Sequence, residues 1–355
     1  MKVHLPVRKA ILLRRTYEAP AEGRADKIRL DFNENTTGCS PAALKALRKL
    51  TARQIATYPE YELPTRKLAR YFRVQPSELL LTNGGDDALR VFFDTFVEPD
   101  SDVLICEPTF PMYRYYAEIA GARLKVLRYS REMDFPLKEA LAALHKKPRL
   151  FFLANPNNPT GTFVTANAVK KLLKAATHTV VVLDEAYAEF SPESAVGWIR
   201  QYPNLFVART FSKAEGMAGL RLGAVIGQRD SLAFVRRAMP PYPVNLAALA
   251  AGVAAVEESK SIAAYVRGVK RLRPWFTREL ERRGVRVYPS AANFLLADFG
   301  KSGPAFFKKL ARNNILIRER SHDLGPGFAR ITIGSQTELK KLLQLLGPGH
   351  QETNA

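Results

Sequence analysis

The chain has 355 residues, 46% hydrophobic and 25% charged, the make-up of a globular protein with room for one large unit and a smaller one. Its formal charge is +20, but the basic residues fall in short scattered groups (Arg14-Arg15, Lys146-Lys147, Arg236-Arg237, Lys270 to Arg273) with no zinc-finger, RNP-like or helix-turn-helix pattern, so nucleic acid is not the expected partner. Two cysteines, Cys39 and Cys106, offer neither a disulfide framework nor a metal cluster, and the lack of a roughly 18-residue apolar run or a secretory-signal pattern predicts a cytoplasmic protein without a metal or a membrane span.

Five apolar runs follow one another in chain order, each ending in polar or glycine residues. Leu79 to Leu81 leads into Thr82-Asn83-Gly84-Gly85, and a helix is predicted over Ala88 to Phe96. Val103 to Cys106 leads into Glu107-Pro108-Thr109, followed by a helix over Pro136 to His145. Leu150 to Leu153 leads into Asn155-Pro156-Asn157-Asn158, followed by a helix over Ala166 to Ala176. Val180 to Leu183 leads into Asp184-Glu185, and Leu205 to Val207 leads into Thr210-Phe211-Ser212-Lys213. Runs of this length suit strands buried on both faces, and their alternation with helices predicts an α/β unit with a mainly parallel sheet. Ligands of such sheets bind beyond the carboxyl ends of the strands, where these five polar clusters stand. After about residue 245 the texture changes. Helices are predicted over Ala247 to Glu258 and Ser261 to Arg283, with Gly284 as a stop. Short strands are predicted at Val285 to Tyr288, Asn293 to Leu296 and Arg330 to Ile333. This order suits a smaller α+β unit with which the N-terminal residues pack, and the polar tail from Gly347 onward is expected to be disordered.

The sharpest signal is Ser212-Lys213 after a strand-like run, with Arg221 eight residues beyond the lysine and glycines between and after. An amine for a Schiff base, with hydroxyl and cationic donors nearby, is what a phosphate-bearing aldehyde cofactor requires. Such an amine must spend time uncharged, which burial or cationic neighbours permit. Once freed it can move a proton. Gly84-Gly85-Asp86-Asp87, between a strand and a helix, offers backbone N–H groups to a phosphate. Arg330 can take a carboxylate or phosphate bidentately. Taken singly, each residue has an ordinary alternative. Asp184 can cap a helix, Tyr187 and Phe110 can be core, Asn155 to Gly161 can be a turn, and Arg330 can sit on a surface strand.

The run Ser212 to Gly223 resembles the cofactor-lysine region of the fold-type I aminotransferases, which use pyridoxal phosphate, and the likeness extends from about Leu30 to Gly334. The resemblance implies a large domain over residues 36–245, with a mainly parallel seven-stranded sheet flanked by helices. It implies a smaller α+β domain from residues 1–35 and 246–355. It gives Lys213 the Schiff base and Asp184 the ring nitrogen, and gives Tyr187 and Asn158 the phenolic oxygen. Phe110 stacks on the ring, and Gly85, Asp86, Ser212 and Arg221 bind the cofactor. Tyr58, in Thr57-Tyr58-Pro59, reaches the cofactor phosphate of the other subunit, which implies a homodimer. Within the family, Asp31 to Asn35, Ala292-Asn293-Phe294 and Ala329 to Gly334 resemble the histidinol-phosphate aminotransferases. That likeness implies a phosphorylated amine and amino or keto acids as substrates, held by Arg330 with Arg318 and Asn33. Threonine-phosphate decarboxylases and aromatic or broad-range aminotransferases are the neighbouring alternatives. A non-catalytic, DNA-associated regulator that binds pyridoxal phosphate is the alternative of another class. Two departures from the pattern, Thr36 in place of proline and Glu215 in place of an aromatic residue, are expected to lie near the site and to bear on substrate preference.

Overall fold

Residues 5–12 and 22–348 are described by the computed structural model. The Arg14-Arg15 pair and the tail beyond Pro348 lie outside the described residues. Strand β1 is Ile28–Leu30. Strands β2 to β8 are Leu79–Thr82, Asp102–Glu107, Arg123–Arg128, Leu150–Ala154, Val180–Asp184, Leu205–Thr210 and Gly223–Gly227. Strands β9 to β12 are Arg286–Val287, Phe294–Asp298, Ile315–Glu319 and Phe328–Thr332.

The larger sheet has seven strands in the order β2-β8-β7-β6-β5-β3-β4. Only β8 runs against its neighbours, so the five apolar runs read from the sequence all point the same way. Their carboxyl ends therefore share one edge of the sheet. Every residue of β5, β7 and β8 is buried, as expected of strands covered on both faces. Strand β4 was not predicted. Its sequence, Arg-Leu-Lys-Val-Leu-Arg, alternates charged and apolar residues, as befits the edge strand it proves to be. Arg123 and Arg128 pair there with Asp102 and Glu107 of β3, and charge along an edge discourages pairing with another chain. Strand β8 also escaped prediction, because its five residues begin and end in glycine.

The smaller sheet, in the order β1-β11-β12-β10-β9, takes β1 from the N-terminal part and the rest from beyond residue 285. Strand β1 runs parallel to β11, and the other pairs are antiparallel. Predicted helices shift by a residue or two, with one consequential exception. The helix expected from Ala88 begins at Gly84, so Gly85 and Asp86 occupy its first turn. The helix Leu246–Glu257 packs against the helices Pro41–Arg48 and Glu62–Phe72. Among the described residues no helix is long and apolar enough to cross a membrane.

Candidate active site

A cavity of about 350 Å³ opens where the carboxyl ends of the large sheet meet the smaller one, a size ordinary for a small-molecule site. Gly85, Asp86, Phe110, Asn158, Asp184, Tyr187, Ser212, Lys213 and Arg221 line it, together with Asn33, Arg318 and Arg330. Tyr58 does not. It is 78% exposed and stacks on Tyr242, with ring centroids 4.4 Å apart.

Lys213 follows β7, and its Nζ donates to the Phe32 carbonyl at 2.8 Å. Burial, with the positive charge of Arg330 beside it, lowers its pKa from 10.5 to about 8. A neutral amine is thus accessible near physiological pH, as nucleophilic chemistry requires. Asp184 ends β6. Its Oδ2 accepts from the Tyr113 hydroxyl at 2.7 Å and its Oδ1 from the Ala186 N–H at 3.0 Å. Burial raises the Asp184 pKa, and the Tyr113 hydrogen bond opposes that rise.

The N-terminal segment closes the site from the other side. Asn33 sits at φ 57°, a conformation asparagine tolerates better than most residues. Its N–H donates to Thr332 Oγ1 at 3.0 Å, and its carbonyl accepts from Asn293 Nδ2 at 3.0 Å. So held, the Asn33 amide donates to the Tyr187 hydroxyl oxygen at 2.9 Å. That leaves the Tyr187 proton free for another acceptor. Arg330 treats Asn158 in a similar way, donating from Nη1 to Oδ1 at 2.5 Å. Asn158 then keeps its NH₂ group as a donor.

Arg330 also donates from Nη2 to the Asp31 carbonyl, and its buried Nε has no partner among the described residues. At the opposite end, Arg221 Nη2 pairs with Asp86 Oδ2 at 3.0 Å. The approach is tight, for a Cβ on Gly84 would stand 2.7 Å from Arg221 Nη2, and Gly84 has φ +81°. The positive φ is what calls for glycine there, since the end of the Arg221 side chain could move aside.

Among the charged and hydrogen-bonding lining residues, Tyr113, Arg209 and Arg320 went unmarked in the sequence. Tyr113 lies one helical turn beyond Phe110, a spacing that could have flagged it. Arg209 is a charge inside an otherwise apolar run, a stronger signal still. Buried Arg209 pairs with Glu185 at 3.0 Å and with Glu189.

Thr36 and Glu215, expected near the site, are not among the residues that line the cavity. Glu215 is buried behind the Lys213 loop. Its Oε1 accepts from the Tyr71 hydroxyl at 3.1 Å, and Oε2 has no partner among the described residues. Burial first, then Glu189, raises its pKa from 4.5 to about 8, against the pull of Arg209. Between those values the folded protein holds a proton that the unfolded chain has lost, so wild-type stability falls as pH rises through the window. Glu215→Gln keeps the neutral form throughout. It is expected to raise Tm by at least about 1 °C at pH 8 and above, with the gain vanishing near pH 4.5. Thermal unfolding of both proteins at the two ends of that window checks this, and a variant less stable than wild type at the alkaline end contradicts it.

Residues 25–346 match the family model described as aminotransferase class I and II. The chain belongs to that family and is a pyridoxal-phosphate-dependent transaminase of fold type I. It is 34% identical over 331 residues to a histidinol-phosphate aminotransferase of Geobacillus sp. (strain WCH70), covering 91% of this chain and 90% of that one. The structure of histidinol-phosphate aminotransferase from Sinorhizobium meliloti, in complex with pyridoxal-5'-phosphate, is similar with a TM-score of 0.88 at 26% identity, over 97% of each chain. L-Threonine-O-3-phosphate decarboxylase from Porphyromonas gingivalis is similar with a TM-score of 0.78 at 25% identity, over 90% of this chain and 98% of that one.

The cavity fits the family's cofactor on its own chemistry. It offers a buried amine of lowered pKa, a buried carboxylate for a protonated ring nitrogen, and an aromatic wall at Phe110. A cradle of a hydroxyl, a guanidinium and a helix N-terminus stands ready for a phosphate.

Proposed function

We propose that the protein is a histidinol-phosphate aminotransferase, converting L-histidinol phosphate and 2-oxoglutarate to imidazole-acetol phosphate and L-glutamate. The observation that carries this reading is the arginine wall. Arg330, with an unpartnered Nε, faces Arg318 across β12 and β11, and both line the cavity that holds Lys213. One such wall can accept the phosphate of one substrate and a carboxylate of the other in turn. The names of the relatives support the same reading.

Bound pyridoxal phosphate supplies an electron sink for the bond broken at the substrate carbon. The chain's own residues do the rest. Lys213 holds the cofactor and then, freed, moves the proton at the substrate carbon. Asp184 keeps the ring nitrogen protonated. Tyr187 and Asn158, each oriented by its partner, donate toward the phenolic oxygen. Phe110 packs on the ring, while Gly85, Asp86, Ser212 and Arg221 form the phosphate end. Arg330, Arg318 and Asn33 receive the substrate.

We assign Tyr58 to the cofactor phosphate of a second copy, so the working form is a cytoplasmic homodimer. Its high exposure supports this, for in one chain it stands clear of the cavity. Residues 36–245 form the large domain, and residues 1–35 with 246–355 form the small one. Sheet membership supports the division, and the helix Leu246–Glu257 packs across it.

A spectral titration tests the function. L-Histidinol phosphate should convert the visible cofactor band to the pyridoxamine form, and 2-oxoglutarate should restore it. The same preparation should sediment at twice the 39.7 kDa chain mass. Release of CO₂ from threonine phosphate, without conversion by histidinol phosphate, would replace the reading with that of a decarboxylase.

A further inference from the structure

The arginine wall carries more charge than these substrate contacts use. Arg318 on β11 and Arg330 on β12 are opposite each other in register. Arg320, one residue past the end of β11, lines the same cavity, and its side chain is only 5% exposed. Its Nη2 donates to Asp323, its Nε is buried without a partner, and Nη1 has no acceptor among the described residues. Asp323 is the only carboxylate within ion-pair distance of the three arginines among the described residues. Arg330 rests on neutral acceptors, the Asn158 amide and the Asp31 carbonyl. The Asp31 carboxylate is taken by Arg24 at 2.8 Å.

The carboxylates that line the cavity are engaged elsewhere, Glu34 with Arg24 and Arg29, Asp86 with Arg221 and Asp184 with Tyr113, so the three guanidinium groups share only Asp323 as an ion-paired carboxylate among the described residues. Their crowding is felt at Arg330, where burial first, then Arg320 and Arg318, lower the pKa to about 10. An anion entering here relieves that repulsion in proportion to its own charge. A phosphate monoester carries close to two negative charges at neutral pH on three acceptor oxygens, whereas a carboxylate carries one charge on two.

We propose that Arg320 is a specificity-determining residue, which with Arg318 and Arg330 matches a doubly charged phosphate in preference to a singly charged carboxylate. Asp323 is its tether, taking one N–H and leaving the others to the substrate. The inference rests on the phosphorylated-amine reading above and adds the residue that makes the choice.

L-Histidinol phosphate and L-histidine share an imidazole and an amine and differ in the anion, so they isolate the effect. In the cofactor-loaded enzyme, Arg320→Gln should lower kcat/KM for histidinol phosphate roughly tenfold to a hundredfold, mainly through KM, and change the L-histidine half-reaction by less than about threefold. Binding of inorganic phosphate, followed by the cofactor spectrum, should weaken in parallel. Arg320→Lys should recover part of the loss. Asp323→Asn should keep or strengthen phosphate binding, since it removes only the competing carboxylate.

If Arg320 and Asp323 are simply a structural ion pair, Asp323→Asn will lose as much as Arg320→Gln, with both substrates affected alike and a matching fall in Tm. That result overturns the proposal. If wild-type enzyme ignores histidinol phosphate, the functional reading fails, while inorganic phosphate against acetate still decides whether Arg320 selects the dianion. Equal weakening of both probes by Arg320→Gln also overturns it.

Discussion

Lys213→Ala is expected to abolish transamination and to leave no cofactor fixed to the chain after borohydride reduction. Among the described residues, Lys213 is the one lysine lining the cavity, and its amine is held by a single neutral acceptor, the Phe32 carbonyl, with no carboxylate paired to it. Burial and Arg330 together keep the amine from holding its proton as an exposed lysine does. The loss should reach at least the 10²–10⁴-fold that a positioned acid–base group supplies, because tether and proton carrier go together. The pH dependence follows in sign from the lowered pKa. Capture of cofactor by wild-type protein freed of it should speed up as pH rises and level off above about 8, where an ordinary lysine would keep climbing past 10. Stopped-flow absorbance reads the rate, and peptide mapping after reduction reads the site. A reduced adduct on any other lysine, or a rate still rising at pH 10, removes Lys213 from the role.

The large sheet was legible in the sequence because its central strands are fully buried, and full burial writes an unbroken apolar run. Leu150 to Leu153 and Leu205 to Val207 are of this kind. The edge strand Arg123–Arg128 was not legible, since one face meets water and its residues alternate. The cavity-lining residues that were found lie at strand ends within short motifs, as Lys213 and Asp184 do. Arg320 and Tyr113 were missed for a different reason. Arg320 enters the cavity only because β11 pairs with β12, and Tyr113 matters only because its helix brings its hydroxyl to Asp184, 71 residues away. Glu215 went the other way. Its place near Lys213 in the chain suggested the site, yet the turn after the lysine carries it to the far side, against Tyr71.

Asp184→Asn should leave the cofactor bound but lower turnover at least tenfold. Asp184 is a carboxylate in a dry setting, which by itself favours the protonated form. Two donors work against that. Tyr113 gives its O–H to Oδ2, and the Ala186 N–H meets Oδ1. Burial and the neighbouring Asp184 charge push the Tyr113 pKa well above its usual value, so the hydroxyl remains a donor and does not take the proton in exchange. The two donors thus favour the charged form at the end of β6 against the effect of burial, and a protonated ring nitrogen of the bound cofactor would favour it further. Asparagine keeps the size and loses the charge. A charge-assisted hydrogen bond is worth about 1.5–3 kcal/mol, and each 1.36 kcal/mol of barrier is tenfold in rate. The loss should fall on kcat, because the phosphate end proposed at Ser212, Arg221 and Gly85 is untouched and would continue to anchor the cofactor. Tyr113→Phe should show a weaker form of the same defect, since it removes the support and leaves the carboxylate. Single-turnover kinetics with histidinol phosphate, alongside cofactor affinity by dialysis, separates the two effects. Near-normal turnover in Asp184→Asn, or loss of the cofactor with no change in the rate of the loaded fraction, would show that the charge at this position is not what drives the chemistry.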